Sequence, residues 1–268
     1  LLSTPTLTVA EKGRIMSLNG KTAVITGSNS GIGLGIAVHL ASIGVNVVLN
    51  SFSDTPEDHA LAAKIAADHG VDAVYIKADM SNGDECRALV AKAAAQMGAV
   101  DILINNAGIT HHPKPMEEVS EEEFDRVLAV NAKSVYLTAR AIVPHMKSAR
   151  TGAILNVAST AGVSPRPNLN WYNASKGWMI TATKTMAVEL APFGIRVNAI
   201  NPVAGETPLL KSFMGQDTPE IRAKFLSTIP LGRFLTPVDM AHTAHYLRTA
   251  GASMVHGRPL DVDGVCWP

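Results

Sequence analysis

Ala23-Val24-Ile25-Thr26-Gly27-Ser28-Asn29-Ser30-Gly31-Ile32-Gly33-Leu34-Gly35-Ile36-Ala37-Val38-His39-Leu40 is the stretch on which the fold turns. A short apolar strand runs into a glycine turn, and the turn runs into a segment of helical composition. Gly27 permits a tight bend, while Gly31 and Gly33 let backbone approach both a ligand and the strand. The N-terminus of the following helix offers unpaired N–H groups and the positive end of its dipole to an anion such as a pyrophosphate. An ordinary glycine loop has the same composition. Its position at the first strand-to-helix crossing favours the phosphate cradle.

Further apolar runs of strand length occur at Val45-Leu49, Ala73-Ile76, Ile102-Ile104, Ala153-Val157, Val197-Ile200 and Pro259-Val262. They are continuous rather than alternating, and Ala-rich segments such as Asp58-Asp68 and Cys86-Met97 separate them, as expected for a parallel sheet buried on both faces. The expected fold is therefore α/β: one doubly wound, Rossmann-type domain with about seven parallel strands and helices on both faces. Ser81 reads as the start of a helix bearing Asp84 and Glu85, and Ser120-Glu121-Glu122-Glu123 as a capping box opening a helix that runs to about Ser148 past Pro144. The domain is expected over residues 18–268, with residues 1–17 as an N-terminal extension and a start at Met16 as one hypothesis for its origin. Residues 203–230, rich in proline and glycine, read as a lid.

The 268 residues carry 23 basic and 23 acidic side chains, hence zero formal charge, and no Lys/Arg cluster. Neither nucleic acid nor an anionic membrane is expected as a partner; a small molecule is. Pro5, Glu11, Lys12 and Arg14 interrupt any apolar run near the start. Cys86 and Cys266 stand far apart with no Cys-x-x-Cys spacing, so neither a disulfide scaffold nor a metal site is expected, and a cytoplasmic location is. His242 and His245 lack a third ligand in the sequence and read as surface residues.

Trp171-Tyr172-Asn173-Ala174-Ser175-Lys176 places a phenol and an ammonium four residues apart on one helical face. A tyrosine is a poor base at neutral pH unless nearby positive charge stabilises its phenolate, and Lys176 could supply that charge. Taken with the glycine turn, Asp79 after the third strand, Asn105-Asn106-Ala107-Gly108 after the fourth, Asn131, and Ser159 after the fifth, this pair makes the chain resemble a short-chain dehydrogenase/reductase of the standard type.

The resemblance implies that Ser159 bonds the substrate oxygen, Tyr172 exchanges its proton, Lys176 lowers the tyrosine pKa and holds the nicotinamide ribose, and Asn131 holds a water joining Lys176 to solvent. It implies a dinucleotide site made of Gly27, Asn29, Ser30, Gly31, Ile32, Gly33, Asn50, Ser51, Phe52, Asp79, Met80, Asn106, Ala107, Gly108, Tyr172, Lys176, Pro202, Val203, Gly205 and Thr207, and a homotetramer. Two departures stand out: Val203 where the family shows glycine after Pro202, and Val265 where it shows a second glycine after Gly264.

The end of the second strand, Leu49-Asn50-Ser51-Phe52-Ser53, supplies neither an acid for a ribose 2′-hydroxyl nor a cation for a 2′-phosphate. A phosphate without a cation is poorly compensated, so NAD is expected, with NADP as the alternative. This region is similar to that of 3-hydroxybutyrate dehydrogenases. The positions matching that family's carboxylate-binding set are instead Thr110, Ala161, Leu169 and Ala204. Expected substrate contacts are Thr110, His111, Ser159, Thr160, Arg166 and Trp171. The expected reaction interconverts a secondary alcohol and a ketone, with a 3-oxoacyl thioester or a 3-hydroxybutyrate-type acid as narrower forms. A nicotinamide-binding regulatory protein without catalysis is the competing reading.

Overall fold

The computed structural model describes residues 18–265; the expected extension at 1–17, Met16 and Cys266 lie outside the described residues. Seven strands form one parallel sheet in the order β3-β2-β1-β4-β5-β6-β7. These are β1 (Thr22–Ile25), β2 (Asn46–Leu49), β3 (Ala73–Tyr75), β4 (Ile102–Asn105), β5 (Gly152–Val157), β6 (Ile195–Pro202) and β7 (Pro259–Val262). The pleat divides each apolar run between two cores. Ala23, Ile25, Val47, Leu49, Ile102 and Ile104 belong to one cluster, and the intervening Val24, Val48 and Leu103 to the other. Both faces are dry, which is why the strands read as continuous apolar runs.

Helices α1 (Gly31–Ser42) and α9 (Pro237–Tyr246) cover the first face, and α3 (Gly83–Met97), α5 (Ser134–Ala149) and α6 (Asn170–Leu190) the second. Helix α2 (Pro56–His69) follows β2, with Thr55 and Asp58 forming a capping box. No helix among the described residues is long and apolar enough to cross a membrane.

Two local expectations shift. Helix α3 is capped by Asn82, whose Oδ1 accepts from Asp84 N and Glu85 N, rather than by Ser81, which instead bonds Asp79. The long helix does open at the Ser120–Glu123 capping box and continues past Pro144, but it is not uniform. Helix α4 (Glu121–Leu128) gives way to a π-turn at Ala129–Lys133 before α5 begins. The extra residue of that turn carries Asn131, whose amide is tied to another segment, a recurring cause of such bulges.

Short helices α7 (Leu210–Met214) and α8 (Pro219–Leu226) occupy the stretch expected to be irregular. Beyond β7, Val265 has φ 68°, a left-handed conformation that strains a β-branched residue. The glycine that the family carries at this point would adopt it freely. Val265→Gly is expected to stabilise the protein by about 1 kcal/mol, a rise in Tm of roughly 2–4 °C; an unchanged or lower Tm would show that the valine is not strained.

Candidate functional site

The strand order reverses between β1 and β4, whose chains leave the sheet in opposite directions and open a crevice at their carboxyl ends. The two departing loops are clamped together. Thr26 Oγ1 accepts from the N–H groups of Asn106 and Ala107, both at 3.0 Å, and Asn106 Nδ2 donates to the carbonyls of Thr26 and Gly27 at 2.9 and 2.7 Å. A Cβ on Gly27 would lie 2.9 Å from Ala107 Cα, and one on Gly33 2.3 Å from Gly27 O, so neither position has room for a side chain. Ser30, the N-cap of α1, leaves the helix N-terminus without a side-chain cap, and Ser30, Gly31 and Ile32 border the cavity. Unpaired N–H groups at such an end suit a pyrophosphate.

That cavity has a volume of about 450 Å³ and brings together nearly every residue assigned to the dinucleotide, from the glycine turn through Ser51, Phe52, Asp79 and Met80 to Val203, Gly205 and Thr207. Gly33 is the exception; it packs inside the turn, because its role is close approach of helix and strand. Asn50 borders the cavity but its side chain is fully used. Its Oδ1 accepts from Gly27 N at 3.2 Å, and its Nδ2 faces the carbonyls of Ile76 and Ala78 at 3.0 and 3.1 Å, which makes it a bracket for the turn.

At the other end of the cavity lie Ser159, Thr160, Arg166, Tyr172 and Lys176. A 3₁₀ turn after β5 carries Ser159 and rests directly on α6, where a Cβ on Gly162 would meet the backbone of Lys176 at 2.8 Å. Tyr172 and Lys176 are 4% and 3% exposed. Burial pushes the Tyr172 phenol up to about 12 against the opposing effect of a hydrogen bond from Ser159, and burial pulls the Lys176 ammonium down to about 8. Burial thus outweighs every lowering influence on the phenol in this structure. The ammonium donates to Val157 O at 2.9 Å and stands 5.8 Å from the phenol ring centre.

Asn131 is buried one layer behind. Its amide bonds Ile109 in both directions, N–H to Oδ1 and Nδ2 to O, each at 2.9 Å, and also Ser175 Oγ at 3.0 Å. The side chain therefore joins the β4 loop to α6 beside Lys176, with both amide hydrogens and one lone pair of Oδ1 engaged.

Three expected substrate residues do not line the cavity. Thr110 bonds the carbonyl of His111, buried His111 bonds that of His112, and Trp171 donates to Met116 O while its ring packs on Phe124. The loop carrying Thr110 and His111 follows β4 and folds toward α4, and Trp171 on α6 packs against that same helix. Residues that sequence reasoning passed over take their place: Phe225 and Arg126 border the cavity, and Arg166 stacks on the Phe225 ring at 5.1 Å. The lid expected at residues 203–230 contains both Phe213 and Phe225 and was the signal for a wall there. Phe213 meets the Tyr172 ring at 5.0 Å. Ala161, Leu169 and Ala204 also line the cavity and bring no charge, so no donor set for a small carboxylate forms at those positions.

A family model described as enoyl-(acyl carrier protein) reductase matches residues 27–264. The chain belongs to the short-chain dehydrogenase/reductase family. Among its relatives, 4-formylbenzenesulfonate dehydrogenase of Comamonas testosteroni is 45% identical, covering 93% of this chain and 98% of that protein. D-beta-hydroxybutyrate dehydrogenase of Cupriavidus necator is 38% identical, over 92% of this chain and 98% of its own. The crystal structure of a 3-ketoacyl-(acyl-carrier-protein) reductase from Brucella melitensis with NADH is 46% identical with a TM-score of 0.83, over 93% of this chain and 99% of its own. This short-chain dehydrogenase/reductase is an oxidoreductase that binds NAD(P).

His242 and His245, expected to be surface residues, pack with His39 of α1; His39 Nε2 lies 3.1 Å from His245 Nδ1. No metal-holding cluster forms among the described residues. Gly162→Ala should displace the Ser159 turn from α6, costing about 1–3 kcal/mol and lowering kcat by roughly tenfold or more. Wild-type Tm and kcat in this variant would refute the contact.

Proposed function

We propose that this oxidoreductase moves a hydride between NAD(H) and the carbinol or carbonyl carbon of a moderately apolar substrate, a secondary alcohol or ketone, with Tyr172 exchanging the proton on oxygen. One observation carries the reading: Tyr172, Ser159 and the Lys176 ammonium, which stands 5.8 Å from the phenol ring centre, line the same cavity as the glycine turn. The bound nicotinamide supplies or accepts the hydride. Ser159 orients the substrate oxygen. In reduction Tyr172, protonated at neutral pH, donates its proton to the developing alkoxide, and the resulting phenolate faces the Lys176 charge; oxidation runs the same path in reverse. Asn131 positions α6 through Ser175 and the β4 loop.

NAD(H) is favoured over NADP(H) by the charges around Ser51 and Phe52. Asn29 Nδ2 donates to Asp58 Oδ1 at 2.9 Å, which sets a carboxylate behind the turn. Of the cations lining the cavity, Arg166 is held by Phe225 and Thr228 and Lys176 by Val157, and the Arg126 charge helps hold the Asp79 carboxyl low. A 2′-phosphate at Ser51 and Phe52 would meet the Asp58 carboxylate behind the turn.

Phe213, Phe225 and Leu209 make the cover over the substrate end, so residues 203–230 act as the lid. The aromatic wall and the Arg166 guanidinium also support a second reading of the substrate, an aromatic carbonyl compound bearing an anionic group, in keeping with the relative that acts on 4-formylbenzenesulfonate. The exposed side chains of Tyr136 and Trp178 on α5 and α6, and of Val238 and Tyr246 on α9, support assembly as a homotetramer.

Tyr172→Phe should lower kcat by about 10²–10⁴ with cofactor affinity nearly retained; retention of turnover would remove Tyr172 from the chemistry. With wild-type protein, kcat/KM should favour NADH over NADPH, and a strong NADPH preference would overturn the cofactor choice. A panel of neutral ketones, 3-oxoacyl thioesters and anionic aryl carbonyls separates the substrate readings, and activity on none would favour a non-catalytic role. Native mass measurement should give four chains; a monomer would end the assembly proposal.

A further inference from the structure

A second cavity of about 390 Å³ lies at the opposite, amino-terminal ends of the strands, bordered by Lys21, Ile102, Gly152 and Ile195. Its chemistry is unusual for its depth. Arg196 and Arg248 both line it, Arg248 is 3% exposed, and the Nε and Nη2 atoms of Arg248 have no hydrogen-bond partner. Arg196 Nη1 is occupied by the carbonyls of Leu247 and Ala252. His256, also in the lining, accepts from Val197 N through Nδ1, so its other nitrogen carries the hydrogen, and that buried Nε2 donor is unpartnered as well. The single acid in the lining, Asp101, is taken by Lys21 Nζ at 2.8 Å and by Thr22 N at 3.0 Å.

A buried guanidinium beside a half-buried one, with the carboxylate of their wall already taken, loses hydration and meets like charge, a combination proteins seldom leave uncompensated. The strain is visible on Arg248, which burial and the neighbouring Arg196 charge pull down to about 9. An oxyanion entering the cavity would meet a forked donor and an imidazole N–H, the groups that recognise carboxylates. Much of the remaining wall, from Leu18, Ile102, Ala153, Ala191 and Ile195, is apolar, with Thr151 and Ser253 the polar exceptions. Bare inorganic ions gain nothing from such walls, whereas a short hydrocarbon body does.

We propose that this second cavity binds a carboxylate carried on a short apolar body, held by Arg248, Arg196 and His256. It is separate from the dinucleotide cavity, with which it shares no lining residue. Coupling between the two has a physical route, because Arg248 follows α9 by two residues and α9 packs along α1, whose N-terminus closes the glycine turn.

The test is thermal unfolding of the full chain with octanoate, with octanol as neutral control and with phosphate at matched ionic strength. Octanoate should raise Tm by about 2 °C or more near saturation, and the other two should not. Arg248→Met removes the uncompensated charge at similar volume; it should fold with an unchanged or higher Tm and bind octanoate about tenfold more weakly or not at all. Ser253→Trp, placed at an exposed lining position, should block the same response if the methionine variant fails to fold. An octanoate shift of equal size in both variants would mean binding in the dinucleotide cavity and would overturn the proposal. So would a response to phosphate alone, or no response at all, in which case the cavity holds water.

Discussion

The pairing of Thr26 with Asn106 across the switch point is the constraint from which the rest of the site follows. One hydroxyl takes two N–H groups of the β4 loop, and one amide gives both hydrogens to the carbonyls of the glycine turn. Parallel strands cannot be joined by a short turn, so β1 and β4 meet only through the sheet and through what their loops do beyond it. Without the clamp the two loops would splay and the α1 N-terminus would lose its fixed direction. The close contact of Gly27 with Ala107 exists because the clamp draws backbone to backbone, and it excludes side chains for that reason.

Behind the clamp a buried polar chain extends the same logic to the reactive end. Thr138 of α5 donates to Asn105, Asn105 to Asn156, and Asn156 to Thr183 of α6. Fully satisfied networks of this kind specify a single arrangement of the elements they join, since a slip of one residue would strand buried amides. The π-turn serves the same end. It moves Asn131 out of helical register so that its amide can bridge Ile109 and Ser175, and α6 is thereby held where Tyr172 and Lys176 face the cavity.

Much of this was legible in the sequence, and the parts that were not share a physical cause. All seven strands lie within a residue or a few of where their apolar runs predict, because a sheet buried on both faces leaves a one-dimensional signature. The residues that gather around the first cavity were legible as well, since backbone approach demands small side chains at fixed points after strands. Less legible were contacts made by side chains arriving from elsewhere. Asn50 reads as a cofactor contact until Gly27, Ile76 and Ala78 are seen to engage its amide. Thr110 and His111 are near the site in sequence, but their loop turns toward α4, where Trp171 of α6 also packs, and no periodicity reports the direction of a loop.

The substrate end is the part least written in local pattern, and its electrostatics explain why a single chain can still be read there. Lys176 is buried with one carbonyl partner and no carboxylate, so its charge is poorly compensated by the protein and is left to act on whatever oxygen develops negative charge beside it. A paired lysine would be more stable and less useful, because an acid at hydrogen-bond distance would cancel the field felt by the phenol. The same feature recurs at the far end of the sheet, where Arg248 lacks an acid although nothing in the hydride-transfer site reaches it. Folding tolerates such a cost where a ligand repays it, and in the first cavity the proposed ligand is the reacting oxygen. A second unpaired buried cation in a second cavity calls for an anion of its own.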